Sequence, residues 1–521
     1  MRKHHSEKQA MMHEGEESDD EYAQQMSLLA INKQSYSIPV AASNSSDRVQ
    51  QVYNMNPNSY SGVNSATTAQ VIFNVGSSFV NGPTSTILFS VNFKDAADTV
   101  AWSWGSNVVG SNTTKSGSSC ANIFKEVSLT ARSGEIIERV INANVLTAAL
   151  APFQKGNSGE YMWAGAGGAS VCADGGIQSV PLATKANIGY TYPMYYANDT
   201  VFFELPLGKL LNFFGQAAPI PGSTVLSGSK LSLTFDNFLN AMVFYTVPAK
   251  PAGNNGKPPV LIDDPVPRDN PGVELTIGNM QLNLDTMTLF DSSIQLINAS
   301  ASSLNSSGLQ LSYYNVFQTR STLTASSQTI DVLLAASKLK DVIMVFRNGA
   351  VGPTGLVDNM SRLPLVSYDG SVGSGIFQGS GASIGKLGAN GNLRLRIGSN
   401  LNTLTPISNA ASLYRYTVQA LCDVKNGATS DIAPLHHENR PFDQAISYSD
   451  WYYGSGGTTI AFDVERSANL SISGSASNNS RALQIEISDC LASTANPITL
   501  DIYVRFLSVA NCSLENLIVD K

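Results

Sequence analysis

The chain has 521 residues, more than one ordinary core accommodates, so two large domains plus tails is the expectation. Charged residues make up 14 % against a usual ~25 %, while 43 % are hydrophobic, which excludes overall disorder and leaves Ser, Thr, Asn and Gly to form the polar surface. A net charge of -8 argues against a general nucleic-acid binder, because affinity for phosphate needs concentrated Lys and Arg.

In chain order, residues 1–34 carry an acidic cluster (Glu14, Glu16, Glu17, Asp19, Asp20, Glu21) ahead of YAQQMSLLAI, and read as a solvated arm or one that orders against a neighbour. Residues 35–67, rich in Ser and Asn, read as an extended connection. Strands then dominate. In STILFSVNF, Ile87, Phe89, Val91 and Phe93 share one face at a period of two, so a half-buried antiparallel strand is expected, with its other face on water or another subunit. Val127, Leu129 and Ala131 repeat the pattern, Gly134 supplies a tight turn, and GEIIERVINANVLTAAL runs from a return strand into a helix.

From 201 to 235 the sequence reads as a strand ending at Pro206, a helix carrying Leu207, Leu210, Leu211 and Phe214, a stop at Pro219 and Pro221, and a strand with Leu231, Leu233 and Phe235. Seven of the chain's 22 prolines fall within 247–272, which marks a semi-rigid domain boundary. Beyond it QLNL, LQLSYYNVF, NLRLRI, TTIAFDVE, LQIEIS and ITLDIYVRF all alternate, and TIDVLLAASKLKDVIMVFR (329–347) reads strand, short helix, strand. The fold class is therefore all-β: two antiparallel sandwiches with short helices in loops.

No residue set carries a defensible active site, cofactor site or metal site. Cys120, Cys172, Cys422, Cys490 and Cys512 are scattered and without CxxC spacing, which argues against a disulfide scaffold or zinc. His436 and His437 are adjacent, so on a strand they point to opposite faces and a polar loop explains them better than a metal site with Glu438. GSGASIGKLG (379–388) fails as a phosphate loop at Ser380 and Leu387, and WAGAGGASVCADGG (163–176) lacks GxGxxG spacing. Asp263, Asp264, Asp450 and Glu465 would serve a glycosidase only if two met in a cleft. Trp102 and Trp104 read as core or interface packing rather than a sugar platform. No apolar run reaches a membrane span and no secretory signal opens the chain, so a soluble protein of a reducing compartment is expected.

Two stretches carry a resemblance. SCANIFKEVSLTARSGEIIERVINANVL (119–146), with Asn144 near the helix start, and FFELPLGKLLNFFGQAAPIPGSTVLSGSKLSLTF (202–235) are similar to the double jelly-roll major capsid proteins of icosahedral double-stranded DNA viruses. The short length and modest loops look most like virophage or polinton-like members. The resemblance implies two tandem eight-stranded jelly rolls, divided as 1–67 arm, 68–247 first roll, 248–272 linker, 273–510 second roll and 511–521 tail. It also implies a structural protein of the virion, not an enzyme, made in the host cytoplasm or nucleus. Its partners would be two further copies in a homotrimeric, pseudo-hexagonal capsomer, neighbouring capsomers, and penton and minor capsid proteins. No cofactor, no sequence-specific nucleic-acid binding and no transmembrane segment are implied. A two-sandwich glycan-binding adhesin or spike, and a carbohydrate-active β-sandwich enzyme, stand as alternatives.

Overall fold

A computed structural model of the chain describes, with short breaks, residues 45–104, 120–153, 195–246, 266–289, 309–348, 367–377, 392–421, 451–464, 475–512 and 517–520. Among the described strands, sixteen form the framework of its two bodies. The first eight are β1 (Ser45–Asn54), β2 (Thr68–Phe73), β3 (Phe79–Lys94), β4 (Phe124–Thr130), β5 (Ile136–Ile141), β6 (Val201–Pro206), β7 (Ser229–Phe235) and β8 (Glu274–Leu289), with helix α1 (Ala143–Leu150) between β5 and β6. The second eight are β9 (Leu309–Leu323), β10 (Gln328–Val332), β11 (Ala336–Asn348), β12 (Asn392–Ile397), β13 (Asn400–Leu401), β14 (Thr459–Asp463), β15 (Leu483–Ser488) and β16 (Ile498–Cys512). Helix α2 (Ala410–Leu421) lies between β13 and β14.

The pairing decides the fold. In the first body the sheets run β1-β8-β3-β6 and β2-β7-β4-β5, all antiparallel. In the second they run β9-β16-β11-β14 and β10-β15-β12-β13. Adding eight to each strand number of the first body yields the second. Each is an eight-stranded jelly roll, so the chain is a double jelly roll. The repeat is topological: a helix sits between the fifth and sixth strands of each roll.

Alternation places the cores. Ile87, Phe89, Val91 and Phe93 are fully buried on β3, facing Val127 and Leu129 of β4 and Leu231, Leu233 and Phe235 of β7. Gly134 takes a φ of 90° in the β4–β5 hairpin, where its N–H donates to the Ala131 carbonyl. Trp102 is wholly buried against Phe93, Tyr195 and Phe203, so it packs in a core. A further small sheet is assembled from Val100–Trp104, Tyr195–Tyr196, Met242–Thr246 and Val266–Pro267, which belong to the β3–β4, β5–β6 and β7–β8 connections. Those three connections therefore meet at one end of the first roll.

Several expectations are corrected. The first roll starts at β1 rather than at 68, because Ser45–Asn54 pairs along β8. The proline-rich segment is not the boundary. β8 follows it and pairs with β3 from Glu274–Lys94 to Met287–Phe79, so 247–272 joins two strands of the first roll, and the change of roll falls between 289 and 309. Proline cannot join a central ladder, but a proline-rich loop serves a long connection as well as it serves a linker. The tail is not free either: Leu517–Asp520 pairs with the end of β16 and Val519 is buried. The helix expected within 329–347 is absent, since β10 and β11 are separated by only three residues, too few for a turn of helix. The helix expected at 207–214 is one short 3-10 turn, Leu207–Lys209. The amide N–H groups of Asn212 and Phe213 are held by the Glu138 carboxylate, so they are not available to continue it.

Candidate functional site, the seam between the rolls

The second roll's β9-β16-β11-β14 sheet has two buried faces. On β16 Ile498, Leu500, Ile502, Val504 and Phe506 fill the roll's own core. The intervening Asp501 and Tyr503 are also fully buried. This outward face meets the first roll: Val316, Ile343, Val345, Ala461 and Tyr503 belong to the same apolar cluster as the core of β2–β7. What covers them is β5, α1 and the turn after β6.

Hydroxyl and amide groups of the second roll donate to backbone carbonyls of the first. Tyr503 Oη donates to the Asn142 carbonyl at 2.9 Å, Thr459 Oγ1 to Ala149 at 3.3 Å, and Tyr313 Oη to Ile137. Asn315 Nδ2 also reaches Ile137 at 3.4 Å. A helix end leaves its last carbonyls without intrahelical donors, and Ala149 lies in the final turn of α1. Asn142 has a φ of 50°, a left-handed conformation that Asn tolerates, and it turns the chain from β5 into α1.

Glu138 is fully buried on β5. Its Oε1 accepts the Asn212 N–H at 3.0 Å and Nδ2 at 3.1 Å, and Oε2 accepts the Phe213 N–H at 2.8 Å. Burial pushes its pKa up to about 7, and the three donors hold it back from going higher. Phe213, fixed by that clamp, packs edge-on against Tyr313 with ring centroids 5.1 Å apart. Glu138, Phe213, Tyr313 and Ile137 thus form a closed circuit that joins β5, the turn and β9.

Charges on this face are paired. Asp501 accepts from Arg320 Nε at 2.7 Å, Arg347 Nε at 2.6 Å and Gln318 Nε2 at 3.1 Å. Asp341 takes a bidentate contact from Arg505, with Nε at 2.8 Å and an Nη at 2.5 Å. Burial raises the Tyr503 hydroxyl well above its ordinary range, with the Asp501 charge adding to it. No step of bond making is supported by this arrangement; it holds two bodies in one orientation.

His436, His437 and Glu438, the carboxylates Asp263, Asp264, Asp450 and Glu465, and both glycine-rich stretches lie outside the described residues, as does the arm 1–34. Among the described residues no group of three or more His, Cys, Asp or Glu side chains could hold a metal ion, and no helix is long and apolar enough to cross a membrane. Cys120 and Cys490 are buried. The seam residues were missed from sequence because an outward strand face reads the same whether water or another domain covers it. One signal was present: Asp501, Tyr503 and Arg505 alternate with the apolar residues of β16.

No family model and no curated protein sequence matches the chain. Solved structures do. The Faustovirus major capsid protein is similar at 9 % identity and a TM-score of 0.48, over 93 % of this chain and 97 % of that one. A chain of the Sputnik virophage structure is similar at 11 % identity and 0.48, over 93 % and 90 %. The mavirus major capsid protein is similar at 9 % identity and 0.42, over 94 % of each. All three are viral. The double jelly roll of this chain is established independently of them, by its own strand pairing.

Proposed function

We propose that the chain is a major capsid protein of an icosahedral double-stranded DNA virus, located in the virion and acting by self-association. The observation that carries this reading is the same eight-stranded roll built twice and locked side by side by a dry seam. A rigid pair of similar rolls is a wall element. Three such pairs around an axis present six similar units, a pseudo-hexagonal block that tiles a closed surface. Each lateral contact can be modest because a shell multiplies them. The low charge fits a surface that meets copies of itself, since interface cores are depleted of Lys, Glu and Asp.

In this reading the role is structural rather than catalytic. The partners are two further copies in a homotrimer, neighbouring capsomers, and penton and minor capsid proteins at special positions. Negative-stain images and sedimentation of the purified protein test it. Compact trimers with a hexagonal outline are expected; a persistent monomer across ionic strength and concentration would overturn it.

A further inference from the structure

The seam has two halves, and the chain uses each half only once. Helix α1, after the fifth strand of the first roll, is buried at Ala143, Asn144, Val145, Leu146 and Ala149, because the first roll lies on one side and the outer sheet face of the second on the other. Helix α2 holds the same place in the second roll. It is anchored on its own roll by buried Leu413, Thr417 and Val418, with Thr417 Oγ1 accepting the Ala461 N–H at 3.1 Å. Its opposite side is open: Ala411, Arg415 and Gln419, at a spacing of four, are exposed along one stripe.

The complementary surface is open too. The outer face of β1-β8-β3-β6 in the first roll corresponds, strand for strand, to the face that α1 covers in the second. It presents Val52, 53 % exposed, and Phe202, 41 % exposed, around half-buried Leu88 and Glu204. In register, Leu88 stands between Gln281 and Glu204, and Ser90 between Gly278 and Phe202. Thr86 and Ser90 on this face are buried beneath their neighbours, so the contact falls on Val52, Leu88, Phe202 and Glu204. Glu204, which accepts from Thr86 Oγ1 at 2.7 Å, supplies a carboxylate for a cation, and Arg415 is the charged residue of the α2 stripe.

We infer that the occupant is a second copy of this chain: the Ala411–Arg415–Gln419 stripe of α2 seats on the outer β1-β8-β3-β6 face of the next chain, repeating between molecules the contact that α1 makes within one. The inference rests on the self-association proposed above and assigns its surfaces. Such a contact is head-to-tail, so every copy gives a helix and receives one, and the trimer proposed above requires that the rotation between copies close the set as a ring. Compared with the seam, the receiving face is more polar, as suits an interface formed after folding.

A photo-crosslinking residue in place of Arg415 or Gln419 in the full chain, followed by mass spectrometry, tests the docking. Links between chains to peptides within 45–54, 79–94, 201–206 or 274–289 are expected. Intact trimers linked only elsewhere would overturn the docking and leave the capsid reading standing. Monomers under all conditions would overturn both. In parallel, Phe202→Glu is expected to weaken association at least tenfold with the monomer's melting temperature unchanged. Ile72→Glu, on the outer face of the other sheet and 69 % exposed, is expected to leave association unaltered. Equal behaviour of the two variants would count against the assignment.

Discussion

The outer faces of the two corresponding sheets differ in the way they are finished. Both carry an outward aspartate on the eighth strand of the roll paired with an arginine on the first: Asp285 with Arg48, and Asp501 with Arg320. Asp501 is wholly buried and takes a second arginine, Arg347. Asp285 leans instead on Thr84 and Asn81, and its Arg48 is 61 % exposed. Around Asp501 the face is apolar (Ile343, Val345, Ala461); around Asp285 it is Thr, Ser, Asn and Gln. One architecture therefore yields a sealed interior seam or an exposed polar face, and the choice lies in a handful of outward side chains.

The largest expected difference comes from deleting the two carboxylates. Asp501→Ala removes the wholly buried carboxylate that half-buried Arg347 and the more open Arg320 share, and is expected to cost about 3 kcal/mol in urea unfolding. Asp285→Ala removes a solvent-screened pair and should cost far less. Equal losses would break the comparison. A similar cost, about 3–5 kcal/mol, is expected of Phe213→Ala, which empties the contact with Tyr313.

Next in size is a pH dependence. The raised pKa of Glu138 means that the folded state holds its proton more tightly than the unfolded chain does. Its contribution to stability is therefore complete below about 4.5 and is lost as pH rises through about 7. Stability should fall over that window by at most on the order of 3 kcal/mol, and Glu138→Gln should flatten the profile. A profile unchanged by the substitution would remove Glu138 from the account. Asp285 works in the opposite sense: hydrogen bonding to Arg48 lowers its pKa, so its contribution is present above about 3.8 and fades as pH falls further.

Smaller still, Tyr503→Phe should cost about 1 kcal/mol, because the Asn142 carbonyl keeps the Val145 and Leu146 N–H groups as donors. The smallest effect on the rolls is expected from deleting residues 1–34, which precede β1. Trimers should persist by sedimentation while shell assembly fails; loss of trimers would show that the arm belongs to the block itself.

Much of each roll could be read before folding. Ile87 to Phe93, Val127 to Ala131 and Ile498 to Phe506 occupy the inward positions that their alternation predicts. A period of two is enforced by the pleat wherever one face is dry. Reading failed where backbone donors were claimed from afar, as Glu138 does at 212–213, and where a proline-rich loop was taken for a boundary. It failed again at Asp501 and Tyr503, whose partners lie up to 361 residues away in the chain.

By itself, then, the chain specified strands, hairpins and inward faces, because those follow from local geometry and the exclusion of apolar side chains from water. Only tertiary structure decided which strand closes which roll and that β8 belongs to the first. It alone decided that one outward face is sealed while its counterpart stays open. Those outcomes depend on which surfaces meet across hundreds of residues, and no local pattern records that.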